Sequence, residues 1–387
     1  MHLIKKIFLY VYLLFVNIFH LSYFITALLL FISYYSTRLH PDSFRLLPII
    51  SLMFPVLLFL NLIWIIIFAF LLQYKRLVIA TIVQLYFFPQ ISDYYNISFS
   101  EKNITSQKAL SVMSFNVKLF DLYNWQNNYL TREKIFNYLK THPADIMCFQ
   151  EFYTSEDSND FNNLQDLKKL FPDYYFHYAY FVTLRKNDHW GLLTMSKYPI
   201  IKQSVIYFNN AKNNGCIYSD IIYNNDTIRV FNLHLQSFSL FKKKKWKPNQ
   251  KPDDENFIQA LDTSAKGLNI IQKLYLNSQL KTQQAENILK IASNTPYPVL
   301  IIGDFNDIPN SYLMYQLSKH QFTDAFKEKG NGFGFTYHDK IYLRIDYIFH
   351  SKHFITLDFN VDNSSETKHL SDHYPIRGYF MKVKSEK

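Results

Sequence analysis

Six short polar patches contain the residues of this sequence whose types could do chemistry. They combine carboxylates, amides and histidines, which can bind a hard cation, activate water and donate hydrogen bonds to phosphate oxygens. The patches are residues 114–116, 149–151, 232–234, 303–306, 345–347 and 371–373. Turn or cap residues are the ordinary explanation for one such patch. Six of them, each at or just past the end of an apolar run, predict a site at the rim of a β-sheet core.

Short strands have to position these patches. Apolar, β-rich runs alternate with amphipathic helices, a pattern that indicates an α/β domain. The predicted strands are residues 110–117, 145–149, 191–195, 217–223, 227–235, 299–303, 344–350 and 374–380. The predicted helices are residues 131–139, with Thr131 as the cap, and residues 264–293, where apolar side chains recur near helical spacing.

Four longer strings are more specific than the patches. They read GLLTMSKYPI at 191–200, GDFND at 303–307, RIDYI at 344–348 and SDHYP at 371–375. In this order they resemble the endonuclease/exonuclease/phosphatase superfamily, which includes pancreatic-type deoxyribonucleases, abasic-site endonucleases, inositol-polyphosphate phosphatases and bacterial sphingomyelinases. The resemblance covers about residues 110–380. It implies a four-layered α/β sandwich, in which two packed mixed β-sheets are flanked by helices.

The resemblance also implies a site for Mg²⁺, with Mn²⁺ as the alternative. Glu151 matches the principal metal-ligating glutamate of the family, Asn116 lies beside it in the coordination shell, and Asp372 matches a further carboxylate near the metal. Carboxylate and amide oxygens suit these hard cations better than zinc. The sequence has no HExxH motif for zinc and no GxSxG elbow for a serine nucleophile.

Five further residues match catalytic positions of the family. His373 matches the catalytic histidine, and Asp346 matches the carboxylate that orients and charges it. Asp304 matches the residue that positions or deprotonates the attacking water, and Asn306 matches the neighbouring donor to a phosphate oxygen. His234 matches the second histidine of the deoxyribonuclease and sphingomyelinase branches, and it argues mildly against the abasic-site endonucleases. Either an acid or a base role is accessible to a histidine near neutral pH.

Lys118 departs from the family's pattern, and two other features, Arg344 and a basic run, leave alternatives open. Lys118 stands where several family members have aspartate or a small residue, so no second metal site built on that aspartate is expected. Arg344 either contacts phosphate or is structural. The basic run at 242–247 either contacts anionic lipid or nucleic acid, or is a solvated loop.

The N-terminal part predicts a membrane anchor. Residues 7–35 and 46–72 are each long and apolar enough to cross a hydrocarbon core, and residues 77–89 form a shorter third segment. We therefore expect an anchor with two or three transmembrane helices at 1–95, a linker at 96–108 and a catalytic domain at 109–387. The basic pair at 5–6 precedes the first apolar run and the pair at 75–76 follows the second. Both pairs favour a cytoplasmic location for the chain segments that contain them. Three helices, the prediction we prefer, place the catalytic domain outside the cytoplasm of a bacterial inner membrane; two keep it inside.

The substrate is not determined by these patterns. The 41 Lys and Arg against 31 Asp and Glu give a net charge of +10, which favours anionic partners, but positive-inside topology produces the same balance. We expect a metal-dependent hydrolase, a phosphodiesterase or nuclease at the membrane surface, acting on nucleic acid or nucleotides. The alternative is a lipid-headgroup phosphodiesterase or phosphatase, sphingomyelinase-like or phosphoinositide-directed; a non-catalytic phosphate-binding scaffold is a third reading. No motif indicates a protein partner.

Overall fold

A computed structural model describes residues 2–98, 109–123, 130–157, 161–184, 186–208, 213–237 and 269–383. The basic run at 242–247, most of the predicted linker and the first residues of the predicted helix at 264–293 lie outside these ranges. Asn96, the first residue of the predicted linker, is not linker but pairs with Gly332 in a short two-stranded sheet.

The apolar N-terminal runs form helices α1 (His2–Ser36), α2 (Leu47–Leu52), α3 (Phe54–Phe70) and α4 (Tyr74–Tyr86), followed by a 3₁₀ segment at Phe88–Asp93. The run at 46–72 is therefore two helices rather than one. Pro48 and Pro55 lie in the first turns of α2 and α3, where a residue without an N–H is tolerated. In the described part of the chain, Tyr10–Ser36 is the stretch long and apolar enough to cross a membrane, whereas α3 has 17 residues.

The rest of the described chain forms helices and strands in mixed order. The helices are α5 (Thr131–Thr141), α6 (Asn163–Leu170), α7 (Ile270–Ser293), α8 (Tyr312–Lys319) and α9 (Ala325–Lys329). The strands are β1 (Tyr95–Asn96), β2 (Leu110–Asn116), β3 (Ile146–Ser155), β4 (Tyr175–Leu184), β5 (Asp188–Ser196), β6 (Ile200–Tyr207), β7 (Gly215–Tyr223), β8 (Asp226–His234), β9 (Val299–Asp304), β10 (Thr323–Asp324), β11 (Gly332–Phe333), β12 (Asp346–His350), β13 (Phe354–Val361) and β14 (Ile376–Lys382).

Two six-stranded mixed sheets dominate the domain. The first sheet has the strand order β10-β12-β9-β8-β7-β6 and the second has the order β13-β14-β2-β3-β5-β4. Only β8–β9 and β2–β3 are parallel pairs among the described ladders of these sheets; the others are antiparallel. The carboxyl ends of the two parallel pairs carry four of the six polar patches.

Three apolar clusters hold the layers together. The cluster between the sheets buries Val112 and Ile146 of the second sheet against Val230 and Ile302 of the first. A second cluster packs α7 and α8 on the outer face of the first sheet, and a third packs α5 and α6 on the second sheet. The resulting order of helix, sheet, sheet, helix confirms the predicted four-layered α/β sandwich.

Candidate active site

Strand register places three predicted residues in one row across the first sheet. His234 pairs with Asp304 in the β8–β9 ladder, and Asp346 pairs with Asp304 in the β9–β12 ladder. All three are buried. His373, in the loop before β14, completes the group: its Nδ1 lies 2.9 Å from Asp346 Oδ2 and its Nε2 lies 3.7 Å from Asp304 Oδ2. Residues of four polar patches thus lie together at one rim of the first sheet.

The second sheet contributes Asn116 and Glu151 from across the interface between the sheets. Asn116, the last residue of β2, donates from Nδ2 to Asp304 Oδ2 at 3.0 Å. Glu151 lies at an irregularity in the β3–β5 ladder with a φ of 48°. Such bulges turn a side chain away from the regular alternation of a strand. Glu151 Oε1 consequently lies 3.8 Å from His234 Nε2.

The loop after β9 holds Asn306 in a left-handed conformation, with a φ of 50°. Its N–H donates to Asp304 Oδ1 at 2.8 Å, and its Nδ2 donates to the carbonyl of Leu235 at 2.9 Å. The buried ammonium of Lys281 donates to the Asn306 carbonyl at 2.7 Å and lies 3.1 Å from Asp307 Oδ1. Burial lowers the pKa of Lys281 to about 8. Lys281 therefore ties α7 to the loop that carries Asn306.

Asp372 forms an ion pair with Lys118, a contact that the sequence did not predict. Lys118 Nζ lies 2.7 Å from Asp372 Oδ2. Although burial alone would raise the pKa of Asp372, the ammonium of Lys118 holds it below its usual value. Asp372 can act as a direct metal ligand only if this ion pair opens, so its predicted role remains a prediction.

A left-handed turn positions Lys118. Lys118, Leu119, Phe120 and Asp121 have φ values of 45°, 54°, 55° and 57°. A left-handed helical conformation costs about 1–2 kcal/mol per non-glycine residue. Burial of Leu119 and Phe120 offsets this cost, and Asp121 Oδ2 accepts a hydrogen bond from Thr131 Oγ1 at 3.1 Å. Strained backbone of this kind is concentrated at functional sites.

Burial and neighbouring charges raise the pKa values of Asp304 and His373, the two central groups of the site. Burial, together with the neighbouring Asp346 carboxylate, raises the pKa of Asp304 to about 6. Burial alone would lower the pKa of His373, but the carboxylates of Asp346 and Asp304 raise it to about 10. At neutral pH the site therefore presents an ionised Asp304 of unusual basicity beside an imidazolium.

A divalent cation fits the donors of this site. Asp304, Asp346 and His373 each offer one ligand atom, and these atoms lie within 4.8 Å of one another. Asp346 Oδ1 is buried and has no hydrogen-bond partner among the described residues. As an imidazolium, however, His373 has no lone pair to give to a metal. Glu151, whose side chain is 33% exposed, is the better anchor for Mg²⁺ or Mn²⁺, with water completing the shell.

Three residues that the sequence reasoning missed contact the predicted ones. The ring of Tyr337 lies 5.1 Å from that of His373, and Thr336 Oγ1 accepts from the N–H of Asp346 at 3.0 Å. Their loop has no apolar periodicity that would have revealed them. Lys281 could have been found, because it lies seven residues from both Leu274 and Ile288 on the buried face of α7. A lysine in that stripe signals a buried partner.

Arg344 does not contact the site. Its buried guanidinium donates from Nη1 to Asp324 Oδ2 at 2.6 Å and from Nε to the carbonyl of Asp93 at 2.9 Å. Arg344 was interpreted either as a phosphate contact or as a structural residue, and these hydrogen bonds support the structural role.

Family models match two separate parts of the chain. The model described as "Endonuclease/Exonuclease/phosphatase family" matches residues 113–373, and one described as "Domain of unknown function (DUF8431)" matches residues 5–94. No curated protein is similar enough to the chain to count as a match. Since the first match covers most of the chain and all the site residues, the chain belongs to the endonuclease/exonuclease/phosphatase family, whose members are generally phosphoesterases.

Solved structures share the fold. An endonuclease/exonuclease/phosphatase from Bacteroides vulgatus is 15% identical, with a TM-score of 0.52, over 71% of this chain and 100% of its own. The protein of the same description from Beutenbergia cavernae is 14% identical, with a TM-score of 0.52, over 72% and 73%. The human Nocturnin catalytic domain with bound sulfate anion is 15% identical, with a TM-score of 0.50, over 72% and 95%. At these identities the similarity establishes the fold.

The pH dependence of hydrolysis should follow Asp304. Its pKa is raised from 3.8 to about 6, so the carboxylate is protonated below that pH and ionised above it. We therefore expect kcat/KM for a soluble phosphodiester to rise tenfold per pH unit below about pH 6 and to level off above it. Thermal unfolding measured at each pH controls for loss of the folded state. A flat profile between about pH 5 and about pH 8 would contradict the predicted part of Asp304 in activating the attacking water.

Replacing Lys118 should change cation binding. Lys118→Met removes a positive charge whose field reaches both Asp372 and Glu151, so Mn²⁺ should bind about tenfold more tightly. Lys134→Met, at an exposed position of α5, is the matched control and should leave the affinity unaltered. Titration calorimetry measures both. Weaker binding in Lys118→Met would mean that Lys118 orders the cation site instead of competing with it.

Proposed function

We propose that the chain is a phosphodiesterase that uses one Mg²⁺, or Mn²⁺, at the surface of a membrane. The observation that carries the proposal is the convergence on Asp304: Asn116 donates to it, and the imidazoles of His234 and His373 both approach within 3.7 Å. An acid, a base and amide donors at one strand-end rim are the groups that phosphoryl transfer to water requires. Membership of the family supports the same class of reaction.

Each residue has a role that follows from its surroundings. Asp304 accepts the proton of the attacking water, because its raised pKa makes it a better base than an ordinary aspartate. His373, oriented and charged by Asp346, stabilises the charge on the phosphoryl oxygens or protonates the leaving oxygen. His234 and Asn306 supply further donors. When bound near Glu151, the cation would neutralise phosphate charge and activate a coordinated water.

The proposal is tested with the full chain in lipid nanodiscs. Bis-p-nitrophenyl phosphate, p-nitrophenyl phosphate and plasmid DNA are each incubated with Mg²⁺ or with EDTA. We expect Mg²⁺-dependent cleavage of the diester, faster than that of the monoester, and loss of this cleavage in Asp304→Asn. Folded protein that turns over none of these substrates would overturn the proposal and favour a phosphate-binding scaffold. Faster cleavage of the monoester would replace it with a phosphatase.

We further propose that the anchor crosses a bacterial inner membrane three times, with α3 and α4 as shorter spans than α1, and leaves the catalytic domain outside the cytoplasm. Ser33 near the end of α1 and Asp93 after α4 both contact the catalytic domain. The basic pairs at 5–6 and 75–76 stand at the beginnings of α1 and α4. The positive-inside tendency therefore supports cytoplasmic helix starts and an external domain. An active alkaline phosphatase fused to the C-terminus is expected; an inactive but stable fusion would reverse the orientation.

A further inference from the structure

A row of partly exposed aromatic rings lies on one side of the catalytic domain. We call it the aromatic rim; it consists of Tyr95, Phe333, Phe335 and Tyr342. Successive ring centroids are 4.9, 5.2 and 5.8 Å apart. Phe333 and Tyr342 are each 59% exposed, so the row is a surface and not part of a core. Large aromatic side chains left in water at such density mark a surface that another phase or partner covers.

The aromatic rim is continuous with the membrane anchor. Tyr95 of β1 pairs with Phe333 of β11, directly after the 3₁₀ segment that follows α4. The neighbouring Tyr94 packs in one cluster with Leu30 of α1 and Phe54 of α3. The rim therefore lies level with the last turns of α1 and the first turn of α3. If α1 spans the membrane, that level is the interface between lipid and water, where tyrosine and other amphipathic rings concentrate.

The join between the rim and the anchor is held by buried and charged contacts. Arg344 donates to the carbonyl of Asp93 at 2.9 Å, and Lys327 Nζ lies 2.7 Å from Asp93 Oδ1. Asn96 Nδ2 donates to the carbonyls of Phe326 and Lys327 at 2.9 and 2.8 Å. These contacts fix the orientation of the rim relative to the end of α4.

The same loop reaches the catalytic histidine. Tyr337 lies between Phe335 and Tyr342 in the sequence, forms backbone bridges with Leu343 and His373, and places its ring 5.1 Å from that of His373. Burial and the nearby carboxylates of Asp372, Asp339 and Glu151 raise the pKa of Tyr337. One loop thus connects the end of the anchor to the reacting groups.

We propose that the aromatic rim lies in the headgroup region of the bilayer that holds the anchor, and that the site acts on the phosphodiester of a phospholipid in that bilayer. This inference rests on the proposed phosphodiesterase activity and names its substrate class. Tethering keeps the local concentration of lipid at the site high without any further contact. Aromatic rings can also stack on bases of single-stranded nucleic acid. The rim's continuity with the anchor favours lipid.

Depth in the membrane is the first measurement. Phe333→Trp in the full chain, reconstituted in nanodiscs of equal parts phosphatidylethanolamine and phosphatidylglycerol, adds an indole at the rim. Brominated lipids should quench the added fluorescence, measured as the difference from the unsubstituted chain. Tyr207→Trp is the matched control, because Tyr207 is 69% exposed on β6, at the opposite edge of the first sheet from β10. Equal quenching at both positions, or none at the rim, would overturn the inference.

Substrate class is the second measurement. The double substitution Phe333→Ser and Tyr342→Ser should lower the ratio of lipid to bis-p-nitrophenyl phosphate hydrolysis at least about tenfold, whereas Tyr207→Ser should keep it within about twofold. Diester hydrolysis with no release of lipid headgroups would overturn the lipid assignment and leave the phosphodiesterase proposal standing. DNA cleavage that falls in the double variant would assign the rim to nucleic acid instead. If neither the soluble diester nor lipid is cleaved, the proposed function itself fails.

Discussion

His373→Ala should reduce kcat/KM for a soluble phosphodiester by a factor on the order of 1,000. The substitution removes the imidazolium that lies 2.9 Å from Asp346 and 3.7 Å from Asp304. Charge on the phosphoryl group would then develop opposite two carboxylates with no cationic side chain between them. Steady-state kinetics of the full chain in nanodiscs measures the loss, and Mn²⁺ should bind no more weakly than to the unsubstituted chain, because the substitution removes a positive charge from the site.

His320→Ala is the matched control, because His320 is exposed at the end of α8, where its Nδ1 lies 3.0 Å from Ser293 Oγ at the end of α7. It should retain the rate of the unsubstituted chain. The role given to His373 would be wrong if His373→Ala lost cation binding and recovered full turnover at high Mn²⁺. In that case the imidazole would be a metal ligand, as the compact group of Asp304, Asp346 and His373 allows by geometry alone.

Glu151→Gln should lower turnover by a factor of several hundred or more, because it removes the negative charge that binds the cation. The Glu151 side chain is 33% exposed, and none of the described residues donates a hydrogen bond to it. The temperature of unfolding should therefore stay close to that of the unsubstituted chain. Raising the Mg²⁺ concentration should restore part of the rate. This behaviour separates a binding defect from a chemical one.

Glu133→Gln, on the exposed face of α5, controls for the change in net charge. It should leave both turnover and Mn²⁺ affinity unaltered. If Glu151→Gln bound Mn²⁺ as tightly as the unsubstituted chain, the cation would have to be held by the Asp304 and Asp346 carboxylates instead.

The sequence predicted the central strands well and the edges poorly. Each of the eight predicted strands overlaps an observed one, since central strands buried on both faces are continuous apolar runs. In the two large sheets the missed strands are β4, β6, β10 and β13, and all four are at sheet edges. In β6 the sequence IIKQSVIY is half exposed, so its pattern resembles a loop as much as a strand. The helix starting at Thr131 was predicted correctly, but its cap residue is Leu130.

The site was predictable where it depends on strand ends and not where it depends on loops. His234, Asp304 and Asp346 meet because of ladder register, which apolar patterning strongly constrains. The ion pair of Lys118 with Asp372 joins residues far apart in sequence through a left-handed turn, and no local pattern specifies it. Pro55 marked the break within residues 46–72 in the sequence. Because proline is tolerated in spanning helices, we expected one continuous span there.

The central claim is that strand-end residues of two sheets hold one divalent cation at a phosphodiester. Electron paramagnetic resonance of Mn²⁺ added to the full chain in nanodiscs, followed in parallel with diester hydrolysis, tests it most directly. The account predicts one tightly bound Mn²⁺ per chain, turnover that saturates with its occupancy, and loss of both in Glu151→Gln. Undiminished hydrolysis after complete chelation would contradict it.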